Sequence, residues 1–156
     1  MKLPLSWLKE YVEWNVTPEE FVERMMWRGF ETAGILEEMP GISGVVVGRI
    51  DALAKHPNAD KLQICTIDVG GEAPLCIITG ATNVLEGALL PVALDGAKLA
   101  GGITIQTTNM RGVESCGMLC SGKELGLTEA DYPGAEYNGI MILKEAHPLG
   151  QPIQTA

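Results

Sequence analysis

Basic residues are in short supply. Lys and Arg total 11 against 20 Asp and Glu, which leaves a formal charge of -9 and a pI near 4.6. That deficit excludes a nucleic-acid binder working through bulk positive charge, and it leaves open one working through a local patch. Cysteines are few as well. Of Cys65, Cys76, Cys116 and Cys120, only the last two lie close together, as C-x-x-x-C, and His56 and His147 are the only histidines to join them. No zinc quartet of recognisable spacing results. Long hydrophobic runs are missing: stretches such as Ala88 to Leu94 fall far short of a membrane span. There is no charged leader followed by an apolar run and a small-residue cleavage site. These absences together read as a cytoplasmic protein, with no membrane partner and with reduced thiols acting as small hydrophobes.

What is there suits a packed fold. The 156 residues are 46% hydrophobic and 20% charged, enough for one domain or one domain and a piece of another. Nineteen Gly and nine Pro argue against a helical bundle and for short strands joined by tight turns. The first forty residues differ from the rest. Thr17-Pro18-Glu19-Glu20 is a capping box with proline at the first helical position, Phe21, Val22, Met25 and Met26 follow at helical spacing, and Gly29 supplies the stop. A shorter helix is expected over Ser6 to Val12, burying Leu5, Leu8 and, as a further candidate, Trp7, with Trp14 between the two helices. Helices this small need a partner surface for their apolar faces.

From Gly44 onward the pattern is that of strands. Val45 to Ile50 is β-rich, and Gln63 to Val69 alternates, with Cys65, Ile67 and Val69 on one face. Leu75 to Thr79, Leu89 to Leu94 and Ile103 to Thr107 complete five strands, with Ile140 to Leu143 as one more. No helical crossovers separate them, so a small antiparallel barrel fits better than a parallel sheet. The stretch from Thr128 to Gly139 is polar and turn-rich.

Among the motifs, Gly117 to Lys123 matches G-x-x-x-x-G-K, but Glu124 stands where a phosphate loop needs Ser or Thr, and its carboxylate would repel phosphate. No nucleophile motif accompanies either histidine, so no catalytic residue is assigned. Lys55 to Leu62 joins the first two strands, combines two cations with turn formers, and sits where an oligonucleotide-binding barrel places its first binding loop. As plain residues it would be a solvated hairpin loop. Met110 to Ser121 follows the fifth expected strand. There Arg111 can fork onto phosphate, Ser115 can hydrogen-bond, and Met118 offers a polarizable platform. By residue type alone the plainer reading is favoured, with Met118 and Leu119 as core and Arg111 paired with Glu114.

At these residues a family resemblance emerges. Met1-Lys2-Leu3-Pro4-Leu5-Ser6-Trp7-Leu8-Lys9-Glu10-Tyr11-Val12 resembles the start of the bacterial phenylalanine–tRNA ligase (phenylalanyl-tRNA synthetase) beta subunit. His56-Pro57-Asn58-Ala59-Asp60-Lys61-Leu62, Arg111-Gly112-Val113-Glu114-Ser115, Gly117-Met118-Leu119-Cys120-Ser121 and Glu124-Leu125-Gly126-Leu127 resemble its tRNA-binding barrel. Thr79-Gly80-Ala81-Thr82-Asn83 departs from that family's Cys-Gly-Ala-Pro-Asn.

The resemblance implies a mainly β chain: an OB-fold, five-stranded Greek-key barrel of the tRNA-binding domain type, with a small N-terminal helical piece. It implies residues 1–39 as the helical part of a discontinuous domain, 40–151 as the barrel and 152–156 as the start of a returning segment, the chain being a truncated piece of a longer one. It implies a parent enzyme, an aminoacyl-tRNA synthetase of two alpha and two beta subunits, that attaches phenylalanine to tRNA using ATP and magnesium, neither of them held here. The expected tRNA-binding residues are Lys61 and Arg111 as phosphate clamps, Asn58 and Ser115 as hydrogen-bond partners, Met118 as platform and Lys123 as a further cation. A spacer role within the synthetase, without tRNA contact, is the alternative.

Overall fold

The computed structural model describes residues 3–13, 15–36, 39–132 and 139–155. Trp14 and the middle of the turn-rich 128–139 stretch lie outside the described residues. The chain forms two compact units, residues 1–38 and 39–156.

The first unit holds helices α1 (Leu5–Lys9) and α2 (Pro18–Trp27). The capping box forms as the sequence expects. Glu20 N–H donates to Thr17 Oγ1 at 3.2 Å, and Thr17 N–H donates to the Glu20 carboxylate at 3.3 Å. Gly29, at φ +85°, ends the helix, with Phe30 N–H donating to Met25 O and Gly29 N–H to Met26 O. That double bond pattern is a Schellman cap. Helix α1 is shorter than Ser6 to Val12, and Trp7 is exposed, its ring meeting Tyr11 edge-on at 5.5 Å. No residue of α2 is buried.

The second unit is a nearly closed antiparallel barrel. Strands β1 (Ser43–Lys55), β2 (Gln63–Asp68), β3 (Leu75–Thr79), β4 (Leu89–Lys98) and β7 (Gly117–Leu119) lie in the order β3-β2-β1-β4-β7. Strands β5 (Thr108–Met110) and β6 (Val113–Ser115) form a separate hairpin between β4 and β7. The seam between β3 and the end strand is sewn by Cys116 N–H donating to Cys76 O at 2.8 Å, and by Ile78 N–H donating to Ser115 Oγ at 3.1 Å. This connectivity, with the first strand central and the last closing on the third, is that of the expected Greek-key OB barrel.

One strand assignment is corrected. Ile103 to Thr107 is not the fifth barrel strand. It makes a single bridge, Lys98↔Thr104, and Ile105 exchanges bonds with Gly96 and Ala97. The fifth place belongs to β7, which pairs Val92↔Leu119, Ala93↔Met118 and Leu94↔Gly117 with β4. The segment Ile140 to Leu143 also forms no strand; Met141 N–H bonds Cys120 O and Leu143 N–H bonds Leu89 O.

The barrel interior holds Ile50, Cys65, Ile67, Ile77, Leu90, Val92 and Leu119. The alternation of β2 therefore turns Cys65 and Ile67 inward, as its period-2 pattern requires. Strands β1 and β4 are apolar on both faces because a second layer, including Ile42, Leu99, Ile105, Leu125, Met141, Leu143 and Ile153, packs against Val45, Val47 and Ala93 from outside. Each large side chain so buried contributes about 1.5–3 kcal/mol.

Candidate nucleic-acid interface

Thr108↔Ser115 and Met110↔Val113 pair across the hairpin, leaving Arg111 and Gly112 as a two-residue turn. Both have positive φ, +53° and +94°. A hairpin with two such residues has the twist that matches its strands, and it usually takes Asn or Gly first. Arginine at a left-handed position costs on the order of 1–2 kcal/mol. The surroundings hold it there. Asn109 Oδ1 accepts from Gly112 N–H at 2.9 Å, and Asn58 Nδ2 donates to Arg111 O at 3.0 Å.

Asn58 comes from the loop between β1 and β2. That loop is closed by His56 N–H donating to Leu62 O and Leu62 N–H to Ala59 O. The His56 ring is 5% exposed and spans both loops. Its Nδ1 accepts from Asn58 N–H at 3.1 Å, so its Nε2–H donates to Met110 O at 3.0 Å. The β1–β2 loop and the hairpin tip are thus bound to each other through a histidine and an asparagine. The sequence motif gave Asn58 a place here. It gave His56 only a loop, because nothing in a polar loop announces which ring will be covered.

The other expected residues are placed as follows. Lys61 is exposed on the same loop as Asn58, and Lys123 is exposed at the start of a 3-10 turn. Neither these lysines nor Arg111 enters an ion pair among the described residues. Arg49, in contrast, is held by Asp51 at 2.9 Å and Asp68 at 3.1 Å, and Asp51 raises its pKa. Ser115 is 1% exposed, with its hydroxyl accepting from Ile78 N–H and donating to Gly117 O at 3.1 Å. Both hydrogen-bonding roles of that hydroxyl are spent inside the fold. Met118 is partly buried against the outer core layer.

A cleft of about 500 Å³ opens beside the hairpin, with Met110, Ser115 and Met118 among its walls. Glu124, which the phosphate-loop match put in question, also lines it. Its Oε2 accepts from Ser121 N–H at 2.6 Å and Ser121 Oγ at 2.9 Å. A carboxylate therefore occupies the backbone donor that a phosphate would need, and the nucleotide-loop reading fails on geometry. Among the described residues no group of His, Cys, Asp and Glu is arranged to hold a metal ion. No helix among them is long and apolar enough to cross a membrane.

The thiols divide by burial. Burial first, with Glu124 second, pushes Cys120 from 9.0 up to about 12, and burial pushes Cys65 up to about 11. Cys76 is raised less, and both Cys76 and Cys116 are partly exposed. The thiolate is the reactive form. Iodoacetamide on the folded protein at pH 8 is therefore expected to label Cys76 and Cys116 and to spare Cys65 and Cys120, as read by peptide mass spectrometry; early label on Cys120 would refute the burial assignment. Because both buried thiols are harder to ionise folded than unfolded, their contribution to stability is present below pH 9 and is lost as pH rises toward 11–12.

Residues 45–151 match the family described as "Putative tRNA binding domain". The chain is 46% identical over 143 residues to the phenylalanine–tRNA ligase beta subunit of Symbiobacterium thermophilum, covering 92% of this chain and 15% of that one. With the same subunit from Clostridium acetobutylicum it shares 40% identity over 154 residues, 99% of this chain and 19% of the other. It spans less than a fifth of the length of these curated relatives. Among solved structures, the MetRS related protein from Pyrococcus horikoshii aligns at 21% identity and a TM-score of 0.47, over 80% of this chain and 99% of that one.

Proposed function

Because this chain belongs to the tRNA-binding domain family, we propose that its barrel binds tRNA weakly, through the joined β1–β2 loop and hairpin tip. One observation carries the reading: the left-handed turn at Arg111 and Gly112 is held from outside the hairpin by Asn58 on Arg111 O and from within it by Asn109 on Gly112 N–H. Strain retained under such support marks a functional position. Arg111 and Lys61 meet phosphates, and Lys123 adds a third cation. Asn58 acts mainly by fixing the turn, and Ser115 by closing the barrel seam. Met118 offers a packing surface for a base.

The wider setting is inferred from the relatives. In it the chain corresponds to the N-terminal part of a beta subunit of a cytoplasmic phenylalanine–tRNA ligase, which joins phenylalanine to tRNA at the expense of ATP with magnesium, in partnership with an alpha subunit. The described residues offer no metal donor set, and Glu124 blocks the phosphate-loop match, so no step through ATP or magnesium is assigned to this chain. Its role is binding and positioning.

The test is a fluorescence-anisotropy titration of tRNA at several salt concentrations. Lys61→Ala combined with Arg111→Ala is expected to weaken binding about tenfold and to lower the log–log salt slope by about 1.5, since each phosphate contact contributes roughly 0.7–0.9 to that slope. Unchanged affinity and slope overturn the cation assignment. The net charge of -9 is the observation on the side of the alternative, a spacer role, and no binding by wild type at ~100 μM and low salt would favour it.

A further inference from the structure

We infer that the cleft beside the hairpin receives one unstacked base of the bound RNA, and that it prefers a base carrying an exocyclic amino group over uracil. This rests on the tRNA-binding reading and concerns a subsite of it. The cleft, at about 500 Å³, falls in the size range of small-ligand pockets. Ile78, Ile105 and Met118 give it apolar walls, and Gln106, Thr108 and Glu124 give it polar ones. Apolar aliphatic and thioether walls with a few fixed polar groups suit a heterocycle, which packs its faces on the first and is read at its edge by the second.

Charge decides which part of a nucleotide enters. A carboxylate at the cleft repels phosphate, while Arg111 follows directly after the wall residue Met110. The ribose-phosphate chain therefore runs over the hairpin tip and the base turns inward. Phosphate contact at Arg111 then positions, and the cleft specifies.

The carboxylate also decides which base. Glu124 Oε2 is occupied by two bonds from Ser121, and Oε1 makes none among the described residues. A free carboxylate oxygen accepts only. Cytosine and adenine offer an amino group to it, and guanine offers an amino group beside a ring N–H. Uracil has one ring N–H flanked by two carbonyls, which the same oxygen repels.

Glu124→Gln reverses the rule without changing shape. Ser121 N–H still requires an acceptor, so the amide oxygen takes the Oε2 position and the NH₂ takes the other. The cleft then offers a donor where it had offered an acceptor. In fluorescence anisotropy with labelled oligo(C) and oligo(U) of equal length, wild type is expected to bind oligo(C) about tenfold tighter, the worth of a hydrogen bond to a charged group. Glu124→Gln should bring the ratio to one or below, with oligo(U) bound as well as before or better. Gln106→Ala, at an exposed position, is the second variant and should cut the ratio while leaving the fold untouched. Equal binding of the two oligomers by wild type, or a ratio unmoved in both variants, overturns the inference and leaves tRNA binding standing. No binding of either oligomer or of tRNA by wild type brings down the underlying reading, and this subsite with it.

Discussion

Gly117→Ala is expected to cost about 3–5 kcal/mol, a large part of the 5–15 kcal/mol by which a domain of this size is stable. Gly117 sits at φ +151° at the head of β7. A Cβ built there falls well inside van der Waals contact of the Ala93 carbonyl oxygen. That oxygen belongs to the backbone of β4, which is paired on both sides, with β1 and with β7. No side-chain rotation relieves the clash; the two strands must part. Parting them opens the seam, because Ser115 Oγ donates to Gly117 O and accepts from β3. Gly87→Ala is the comparison. It has φ +83°, but a Cβ there meets nothing within 4 Å, so only the backbone conformation is penalised, by about 1–2 kcal/mol. Urea unfolding of both variants checks the difference. Equal losses would mean that the close approach of β4 and β7 is not what makes position 117 glycine.

His56→Ala is expected to cost about 3 kcal/mol and to weaken tRNA binding more than tenfold. The ring is buried and bonded at both nitrogens. Its removal leaves Asn58 N–H and Met110 O without their partner and opens a void, terms of about 1–3 kcal/mol each. The effect on binding comes from the release of the hairpin. Met110 O and Arg111 O are the two points at which the β1–β2 loop grips it, and His56 also fixes the backbone of Asn58. Free of that grip, the arginine must be ordered by its ligand. Affinity and urea unfolding measured on the same sample test both halves. A stability within about 0.5 kcal/mol of wild type, the range of ordinary surface changes, would show that the loops do not depend on this ring.

The parts of the fold that sequence announced are those with a repeating or local signal. Helix α2 was legible because its start is chemical, a threonine and a glutamate three apart, and its end is a glycine with positive φ. Strand β2 was legible because six residues alternate cleanly. The fifth strand was misplaced because Ile103 to Thr107 alternates like a strand while β7, at three residues, is too short to show any period. What fixes β7 is a backbone approach at Gly117, which no pattern displays. The same shortness hid Ser115. In a three-residue strand the inward and outward positions differ by one step, and the hydroxyl expected at the surface turned to the seam. Of the candidate site, Asn58 and Arg111 were named from a motif, and the structure adds their common attachment. The cleft drew Gln106 from a segment misread as a barrel strand and Glu124 from a turn without periodicity, and only folding brought them beside Met118.

The two-residue turn at Arg111 and Gly112 has a consequence for how this surface can vary. A hairpin of that length leaves its tip one direction in which to face, and adding a single residue would change the twist, break the bond from Asn58 to the Arg111 carbonyl and redirect the guanidinium. Side chains around the tip are free to be exchanged for others of similar character, whereas insertions are not. Aim here is stored in loop length rather than in composition, so a chain this acidic can keep one well-directed cation through extensive drift of its remaining surface.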